Sequence, residues 1–222
     1  MCGRYTQYST WDELVAYFDV IPAMAPNLQA RYNIAPTQAA PVVRLGISGR
    51  KLSSVCWSLV PSWSKEPRSK YNMINARLES VTEKSSFRSA FKSRRCLVPA
   101  DGWYEWKTEE DGKQPYYIQP EARGPFAFAG IWERWQGAES AFDSFAILTT
   151  EASKPLQTIH HRMPVVITER SRFGSWIDPE TPQDDLSALL DMSDIAFKQV
   201  AVNSAVNNAR HDALDCIEPM TI

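Results

Sequence analysis

Short runs of apolar or alternating residues recur along this 222-residue chain and limit the folds open to it. The runs are rich in Val, Ile, Tyr, Phe and Trp, which strands favour. They predict strands at 41–46, 52–60, 103–107, 114–119, 126–132, 143–149, 164–168 and 197–202. No helical pattern alternates regularly with them, which excludes a doubly wound parallel fold. We therefore expect an α+β fold, a single domain over 1–222, with a mainly antiparallel curved or barrel-like sheet and peripheral helices.

Local signals predict several boundaries within this fold. Thr10-x-x-Glu13 is a capping box that opens an amphipathic helix over the following residues. Asp111-Gly112 joins two predicted strands and is typical of a hairpin turn. Further helices are expected near 84–92, 169–176 and 184–191. The Pro-punctuated stretch from Ile21 to Pro36 is predicted to be an irregular loop.

The composition excludes several classes of protein. Hydrophobic residues make up 44% and charged residues 23% of the chain, which is ordinary for a globular protein. No apolar run reaches transmembrane length, and no signal peptide is visible, so we expect a cytoplasmic protein without a membrane partner. Four scattered cysteines without a CxxC, and only three histidines, predict reduced thiols with no metal and no cofactor.

Charge is distributed unevenly, although the net charge is only −2. From Arg44 to Arg95 there are twelve Lys or Arg and three Asp or Glu, a balance of +9, so the remainder carries −11. A basic zone inside a near-neutral protein favours a nucleic-acid partner. The alternative is a basic surface neutralised by the acidic C-terminal part folding back, and charge alone leaves both open.

The first two residues carry the most specific chemical signal. A small residue at position 2 permits removal of Met1, which leaves Cys2 with an α-amine and a thiol on adjacent carbons. A model α-amine has a pKa of about 7.8, against about 10.4 for lysine, so much of it is neutral near physiological pH. Such an aminothiol attacks an aldehyde to give an imine, which the thiol then closes to a thiazolidine. The alternative is an ordinary cysteine near a frayed terminus.

Three other residues are candidates for catalysis. Strand alternation puts Glu105 on the same face as Trp103, where burial would raise its pKa and suit it to acid–base chemistry. His160 precedes a predicted strand and titrates near neutrality. Asn75 can both donate and accept hydrogen bonds. The alternatives are an exposed edge-strand glutamate, a structural histidine and a turn asparagine.

Arginines and tryptophans recur beside these candidates. Arg4, Arg77 and Arg162 carry guanidinium groups suited to phosphate oxygens. Basic residues interleaved with aromatic rings are what single-stranded nucleic acid needs. We expect Trp57 to be a core residue and Trp63, which follows a proline between two serines, to be exposed.

Several strings, in order along the chain, carry a family resemblance. They are Met-Cys-Gly-Arg-Tyr at 1–5, Arg-Tyr-Asn-Ile-Ala-Pro at 31–36, Trp57 through Pro61 to Trp63, Asn-Ala-Arg-Leu-Glu at 75–79, Cys96 to Trp106, and His160 to Pro164, with Thr149 and Val202-Asn203 also fitting. Together they resemble the SOS-response-associated peptidase (SRAP) family over nearly the whole chain. That resemblance implies a single α+β domain around a barrel-like sheet, in agreement with the strand pattern.

The resemblance also implies a function, which is to sense and shield abasic sites in single-stranded DNA. Cys2 would form a thiazolidine crosslink with the abasic aldehyde, Asn75 would orient the reacting groups, and Glu105 and His160 would move protons. The imine intermediate permits β-elimination, hence a weak lyase activity. The remaining matches concern DNA: Arg4, Arg77 and Arg162 on phosphates, Asn33, Thr149 and Trp106 along the DNA path, and Pro36 and Trp63 as a strand-separating wedge. Abasic single-stranded DNA would be the partner of a monomeric protein.

Two other classes of function stay open at this point. One is a thiol peptidase with Cys2 as nucleophile and His160 as base, which would fit self-removal of Met1, or a related amidohydrolase that uses its N-terminal cysteine. The other is a non-catalytic module that binds single strands. Cys2→Ala separates them, because it would remove a covalent DNA adduct or a peptidase activity and spare reversible DNA binding.

Overall fold

The computed structural model describes residues 2–21, 28–67, 73–122 and 124–220. The strands in these ranges are β1 (Arg4–Gln7), β2 (Arg31–Ile34), β3 (Ala39–Gly46), β4 (Gly49–Trp57), β5 (Asn75–Arg77), β6 (Arg95–Ala100), β7 (Gly102–Glu109), β8 (Gly112–Pro120), β9 (Phe126–Gln136), β10 (Ala141–Glu151), β11 (Arg162–Pro164), β12 (Val166–Ile167) and β13 (Phe197–Ala201). The α-helices are α1 (Trp11–Phe18), α2 (Arg88–Ser93), α3 (Arg170–Ile177) and α4 (Gln183–Leu189). Short 3-10 helices lie at 78–80, 156–158, 204–207 and 214–217.

The strands form a closed barrel and a separate antiparallel sheet. The barrel runs β10-β4-β3-β6-β9 and closes where β9 pairs again with β10. Its pairings are antiparallel except that between β10 and β4. The second sheet has the order β13-β8-β7-β1-β2 and is antiparallel throughout. The expected α+β fold with a barrel-like, mainly antiparallel sheet is confirmed.

Both faces are buried along β6, the first half of β9 and the middle of β10, which explains the nearly continuous apolar runs there. Along β9, Phe128 packs into a cluster with Tyr5 and Trp57, whereas its neighbour Ala129 faces a second cluster around Phe173. Successive side chains of a strand point to opposite faces, so a strand covered on both sides must be apolar at every position. The first cluster lies against the five-stranded sheet and the second against the helices.

The predictions that rest on neighbouring residues, a capping box and a hairpin turn, are confirmed. Thr10 caps α1, and its hydroxyl accepts a hydrogen bond from the Glu13 amide while the Glu13 carboxylate accepts one from the Thr10 amide at 2.7 Å. The turn at 110–111 joins β7 to β8, with Glu109 opposite Gly112. No helix in the described part of the chain is long and apolar enough to cross a membrane.

The prediction of an irregular loop from Ile21 to Pro36 was wrong in part. Residues 22–27 lie outside the described ranges, but 31–34 form β2, which pairs with β1. Four strands escaped the sequence pattern: β1, β2, β5 and β6. The first three have only three or four residues, too few for a periodic signal, and β6 begins with a buried Arg95 that interrupts its apolar run.

The basic zone from Arg44 to Arg95 does not form one surface, so the charge argument for DNA binding was too simple. Arg44 is buried, pairs with Asp143 at 2.7 Å and lies over the Trp132 ring. Arg95 is buried and donates to the carbonyls of Phe91 and Trp176. Positions 68–72 of the zone are outside the described residues. These two arginines therefore stabilise the fold instead of contacting a partner.

Candidate functional site

Cys2 lies where the two sheets meet. It lies two residues before β1 of the five-stranded sheet, and its side chain is completely buried in a cluster with Tyr5, Trp57 and Trp103. From the other sheet, Asn75 at the start of β5 donates a hydrogen bond from Nδ2 to the Cys2 carbonyl at 2.8 Å. This bond excludes the turn-residue interpretation of Asn75. It also leaves the buried Asn75 Oδ1 without a hydrogen-bond partner among the described residues.

Strand register brings a row of the predicted DNA-binding residues together. The C-terminal half of β10 is flanked by β5 on one side and β11 on the other. Thr149 of β10 is opposite Arg77 of β5 and opposite Pro164 of β11, while Arg162 is opposite Glu151. Strand pairing thus gathers Arg77, Thr149 and Arg162, which are far apart in sequence, into one row.

Glu105 is a buried carboxyl group on a central strand. Its strand, β7, lies between β1 and β8, which excludes an exposed glutamate on an edge strand. Only 3% of the residue is accessible, and burial raises the pKa of its carboxyl group to about 7. A carboxyl group with that pKa is partly protonated at neutral pH and can both give and take a proton.

His160 faces this carboxyl group from the other sheet. Its Nδ1 is 4.0 Å from Oε2 of Glu105 and accepts a hydrogen bond from the Arg162 amide at 3.0 Å. Nδ1 also lies 3.0 Å from the Arg162 carbonyl, to which it donates when it carries the proton, so these two contacts accommodate either tautomer of the neutral ring. Burial lowers the pKa of His160, which favours this neutral form. The ring stacks on exposed His161, with centroids 4.4 Å apart.

The thiol of Cys2 is held in its protonated form. Burial raises its pKa well above the ordinary value, and the nearby Glu105 carboxylate raises it further. Desolvation and a neighbouring negative charge both disfavour a thiolate. The sulfur therefore does not resemble the low-pKa nucleophile of a thiol peptidase.

An open cleft of about 440 Å³ reaches Glu105 and His160. It is lined by Glu105, His160, Trp106, Lys113 and Asn207. The indole Nε1 of Trp106 donates to Oδ1 of Asn207 at 2.7 Å, so the C-terminal segment forms one wall.

Arg4 and Asn33 tie that wall to β1 and β2. Arg4 donates to Asn33 Oδ1 and to the Val206 carbonyl, both at 2.8 Å. Asn33 is completely buried and donates from Nδ2 to the carbonyls of Val206, Asn208 and His211. The structure thus gives Asn33 a supporting position beneath the DNA path predicted for it.

The two wedge candidates differ in exposure. Trp63 is 63% exposed, as expected. The prediction that Trp57, which is not a wedge candidate, is a core residue is also confirmed, since Trp57 is fully buried. Pro36 is half-buried and precedes Thr37, whose φ of 70° is uncommon for a residue other than glycine. The Thr37 amide donates to the Trp57 carbonyl at 2.7 Å, which fixes this turn.

A model of the family described as SOS response associated peptidase (SRAP) matches residues 1–209 of the chain. The chain belongs to the SRAP family. Two bacterial relatives match along nearly their whole length. A Bacillus subtilis protein named abasic site processing protein YoaM is 37% identical over 218 residues, covering 94% of this chain and 96% of its own. The Escherichia coli abasic site processing protein YedK is 30% identical, covering 99% and 100%.

Vertebrate relatives and solved structures extend the SRAP comparison. Abasic site processing protein HMCES of Xenopus tropicalis is 30% identical over 85% of this chain and 66% of its own length. A crystal structure of a Bacteroides thetaiotaomicron protein superposes with a TM-score of 0.84 at 22% identity, covering 99% of this chain and 100% of that one. A phage-related protein of Bordetella bronchiseptica gives a TM-score of 0.73 at 32% identity, covering 91% and 95%.

Two residues of this SRAP site were not predicted from the sequence. Lys113 follows the hairpin turn between β7 and β8, and its position by the cleft depends on the pairing of these strands. Asn207 belongs to a 3-10 helix that no local sequence pattern predicts. Neither stands in any string that carries the family resemblance, so no sequence signal pointed to these two residues.

The described residues contain one group with the chemistry of a metal site, although no metal is expected from the sequence. His211, Asp215 and Cys216 bring their ligand atoms within 4.8 Å of one another. His211 Nε2 already lies 2.8 Å from the Asp215 carboxylate, so this pair satisfies itself. Cys216 is buried, and its thiol pKa is raised by burial.

Proposed function

We propose that this protein senses and shields abasic sites in single-stranded DNA by forming a covalent crosslink through Cys2. The names of its SRAP relatives support abasic DNA as the substrate. The observation that carries the chemistry is the hydrogen bond from Asn75 to the Cys2 carbonyl, because it fixes the start of the chain beside Glu105 and His160. The protein would act as a cytoplasmic monomer without metal or cofactor.

The reaction requires that Met1 be removed, so that the Cys2 nitrogen is an amine and not an amide. Its lone pair attacks C1′ of the ring-opened sugar, and the aldehyde oxygen is protonated. Loss of that oxygen as water gives an imine. The Cys2 sulfur then adds to C1′ while its proton moves to the nitrogen, which closes the thiazolidine. The sum is one new C–N bond, one new C–S bond and one released water.

Each proposed catalytic residue has a step that suits its environment. Ionised Glu105 accepts a proton from the attacking amine, and the protonated form returns it to the departing water. Neutral His160 can give its ring proton to the sugar ring oxygen during ring opening. Asn75 holds the Cys2 backbone and offers a buried oxygen to the amine. β-Elimination of the 3′-phosphate from the imine would account for a lyase side activity.

The DNA would cross the surface at Arg77 and Arg162, with the completely buried Thr149 supporting them from β10, and pass the cleft beside Trp106. We propose Arg77 as the leading phosphate contact, since it is exposed and forms no ion pair with a described residue. Arg4 and Asn33 would hold the wall of the path, and Pro36 with Trp63 would separate a flanking strand. We further propose that 1–222 works as one SRAP-like unit, because 214–217 packs its buried Cys216 beneath the same wall.

A thiol peptidase is less well supported. Such an enzyme needs a thiolate, yet burial and Glu105 raise the pKa of the Cys2 thiol. A thiazolidine mechanism begins with the amine and uses the sulfur as a thiol, so it tolerates this environment. Self-removal of Met1 would be a single cleavage of the Met1–Cys2 peptide bond that precedes the reaction with DNA.

The decisive experiment is intact-protein mass spectrometry after mixing with single-stranded DNA that carries one abasic site. We expect a Met1-free protein that gains the mass of the DNA minus one water and is stable to heat. Undamaged DNA of the same sequence is the control. A processed protein that binds abasic DNA reversibly and gains no covalent mass would contradict the proposal.

Protein that retains Met1 is expected to form no crosslink. An amide nitrogen has no available lone pair for the aldehyde, so the first step is lost completely. The protein can be produced while methionine aminopeptidase is inhibited and its mass verified before the reaction. The processed protein from untreated cells is the matched control, and full crosslinking by verified Met1-containing protein would refute the mechanism.

Arg77→Ala is expected to weaken reversible binding of undamaged single strands. Loss of one phosphate contact should make the negative slope of log affinity against log salt concentration less steep by roughly 0.7. Fluorescence anisotropy over a salt series measures both the affinity and the slope. Arg88→Ala, at an exposed arginine on α2 outside the row, is the control. An unchanged slope in Arg77→Ala would remove Arg77 from the phosphate contacts.

A further inference from the structure

We propose that Glu79 occupies the phosphate-binding fork of Arg162 in the free protein and so limits its affinity for single-stranded DNA. This inference rests on the proposed function, because it assumes that phosphates reach the row Arg77, Thr149 and Arg162. Glu79 lies on the 3-10 helix at 78–80, directly after β5. It is the side chain nearest in sequence to Arg77 that carries the opposite charge.

The pairing of Glu79 with Arg162 is bidentate. Arg162 Nη1 donates to Glu79 Oε1 at 2.8 Å, and Nη2 donates to Oε2 at 2.9 Å. The hydroxyl of Thr150 donates to Oε1 at 3.2 Å. A carboxylate and a phosphate present the same two-oxygen edge to a guanidinium group, so both require the same donors of Arg162.

Arg162 has few donors left for a phosphate while this pair is formed. Its Nη2 also donates to the Thr149 carbonyl at 2.6 Å, which uses both hydrogens of that nitrogen. Its Nε is buried and therefore cannot reach a DNA strand on the surface. Only one N–H of Nη1 remains outward, and the side chain is 11% exposed. A phosphate must therefore displace Glu79 to gain two hydrogen bonds from Arg162.

Displacement is feasible because the carboxylate is at the surface. The Glu79 side chain is 51% exposed, so its carboxylate can turn to water when a phosphate takes over the donors of Arg162. The pair borders a surface depression of about 530 Å³ lined by Arg77, Glu79, Ser80, Glu151, His161 and Arg162. A phosphate entering it meets Arg77 first and then competes with Glu79 for Arg162.

This arrangement has a consequence for undamaged DNA. One carboxylate lowers the positive charge of the row and blocks its second arginine, so an intact strand is held weakly and released. A strand with an abasic site is retained by the covalent bond at Cys2, which does not depend on phosphate affinity. Glu79 would thus make the retention of a DNA strand depend less on its phosphate backbone and more on the abasic aldehyde.

The test is the affinity of Glu79→Gln for undamaged single-stranded DNA, by anisotropy over a salt series. Glutamine keeps the size of the side chain and removes its charge. We expect binding to tighten about three- to tenfold at low salt, and the salt slope to steepen by roughly 0.7, because one more phosphate contact forms. Glu151→Gln is the matched control, since Glu151 lines the same depression without pairing an arginine.

The control separates occupation of the fork from charge alone. Glu151→Gln should change the affinity less than twofold, and Glu79→Gln should have no effect when Arg162 is already alanine. Weaker or unchanged binding in Glu79→Gln, or an equal gain in Glu151→Gln, would overturn this inference while crosslinking by the wild type stands. A wild-type protein that binds no single-stranded DNA would remove the proposed function and this inference together.

Discussion

Replacement of Cys2 by serine or alanine is expected to abolish the heat-stable adduct with abasic DNA completely. Both residues are small enough for Met1 to be removed, so the variants keep an N-terminal amine. The amine can still form an imine with the aldehyde, but without a thiol the imine cannot close to a thiazolidine. The variants therefore separate the two nucleophiles that Cys2 combines.

Intact mass with and without borohydride measures this separation. The wild type should show a stable adduct without reductant, whereas Cys2→Ser should show one only after the imine is reduced. Strand cleavage by β-elimination should rise in Cys2→Ser relative to crosslinking, because its imine persists unprotected. Cys56→Ser, at a partly buried cysteine outside the site, is the control and should crosslink fully. An unreduced, heat-stable adduct of Cys2→Ser would disprove the role of the sulfur.

Glu105→Gln is expected to slow crosslinking by about 10²- to 10⁴-fold, the usual contribution of a positioned acid–base group. Glutamine preserves the shape of the side chain but cannot exchange a proton. In the wild type the rate should rise as the pH passes about 7, where Glu105 ionises and becomes able to accept the amine proton. In the variant only titration of the amine itself, near pH 7.8, should remain.

Single-turnover crosslinking at saturating abasic DNA, measured from pH 5.5 to 9, gives this rate. Glu109→Gln is the matched control, because Glu109 is an exposed glutamate on the same strand, paired with Lys107. It should crosslink at the wild-type rate. A rate for Glu105→Gln within threefold of the wild type would remove Glu105 from the proton transfers.

The same substitution should stabilise the folded protein at high pH. The pKa of Glu105 is raised from an ordinary 4.5 to about 7, so the folded state binds this proton more tightly than the unfolded chain. Stability is therefore lost as pH rises from 4.5 through 7. The loss is at most about 3 kcal/mol, since each pKa unit corresponds to about 1.4 kcal/mol.

Denaturant unfolding at two pH values checks this sign. At pH 8.5 Glu105→Gln should unfold with a free energy up to about 3 kcal/mol above that of the wild type. At pH 4 the difference should nearly vanish, because wild-type Glu105 is protonated in both states. A difference that does not depend on pH would mean that the carboxyl group titrates normally in the folded protein.

Sequence reasoning succeeded for this fold where neighbouring residues decide the structure. Three features follow from spacings of one to three residues: the capping box at Thr10, the hairpin turn at 110–111 and the inward face of Glu105. It failed for β1, β2 and β5, which carry much of the site. Strands of three or four residues have too short a pattern, and they form only because partners far along the chain supply their hydrogen bonds.

The reactivity of an N-terminal cysteine was determined by the sequence alone, because an amine and a thiol on adjacent carbons are a covalent property. The tertiary structure alone decided how that group is used. It set Asn75 on the Cys2 carbonyl, buried Glu105 against His160, and locked Arg162 with Glu79. These contacts join residues tens of positions apart, and their energies depend on distance and burial. The first two contacts arise from the meeting of two sheets, and the third from the pairing of β5 and β11 with β10, which no local spacing encodes.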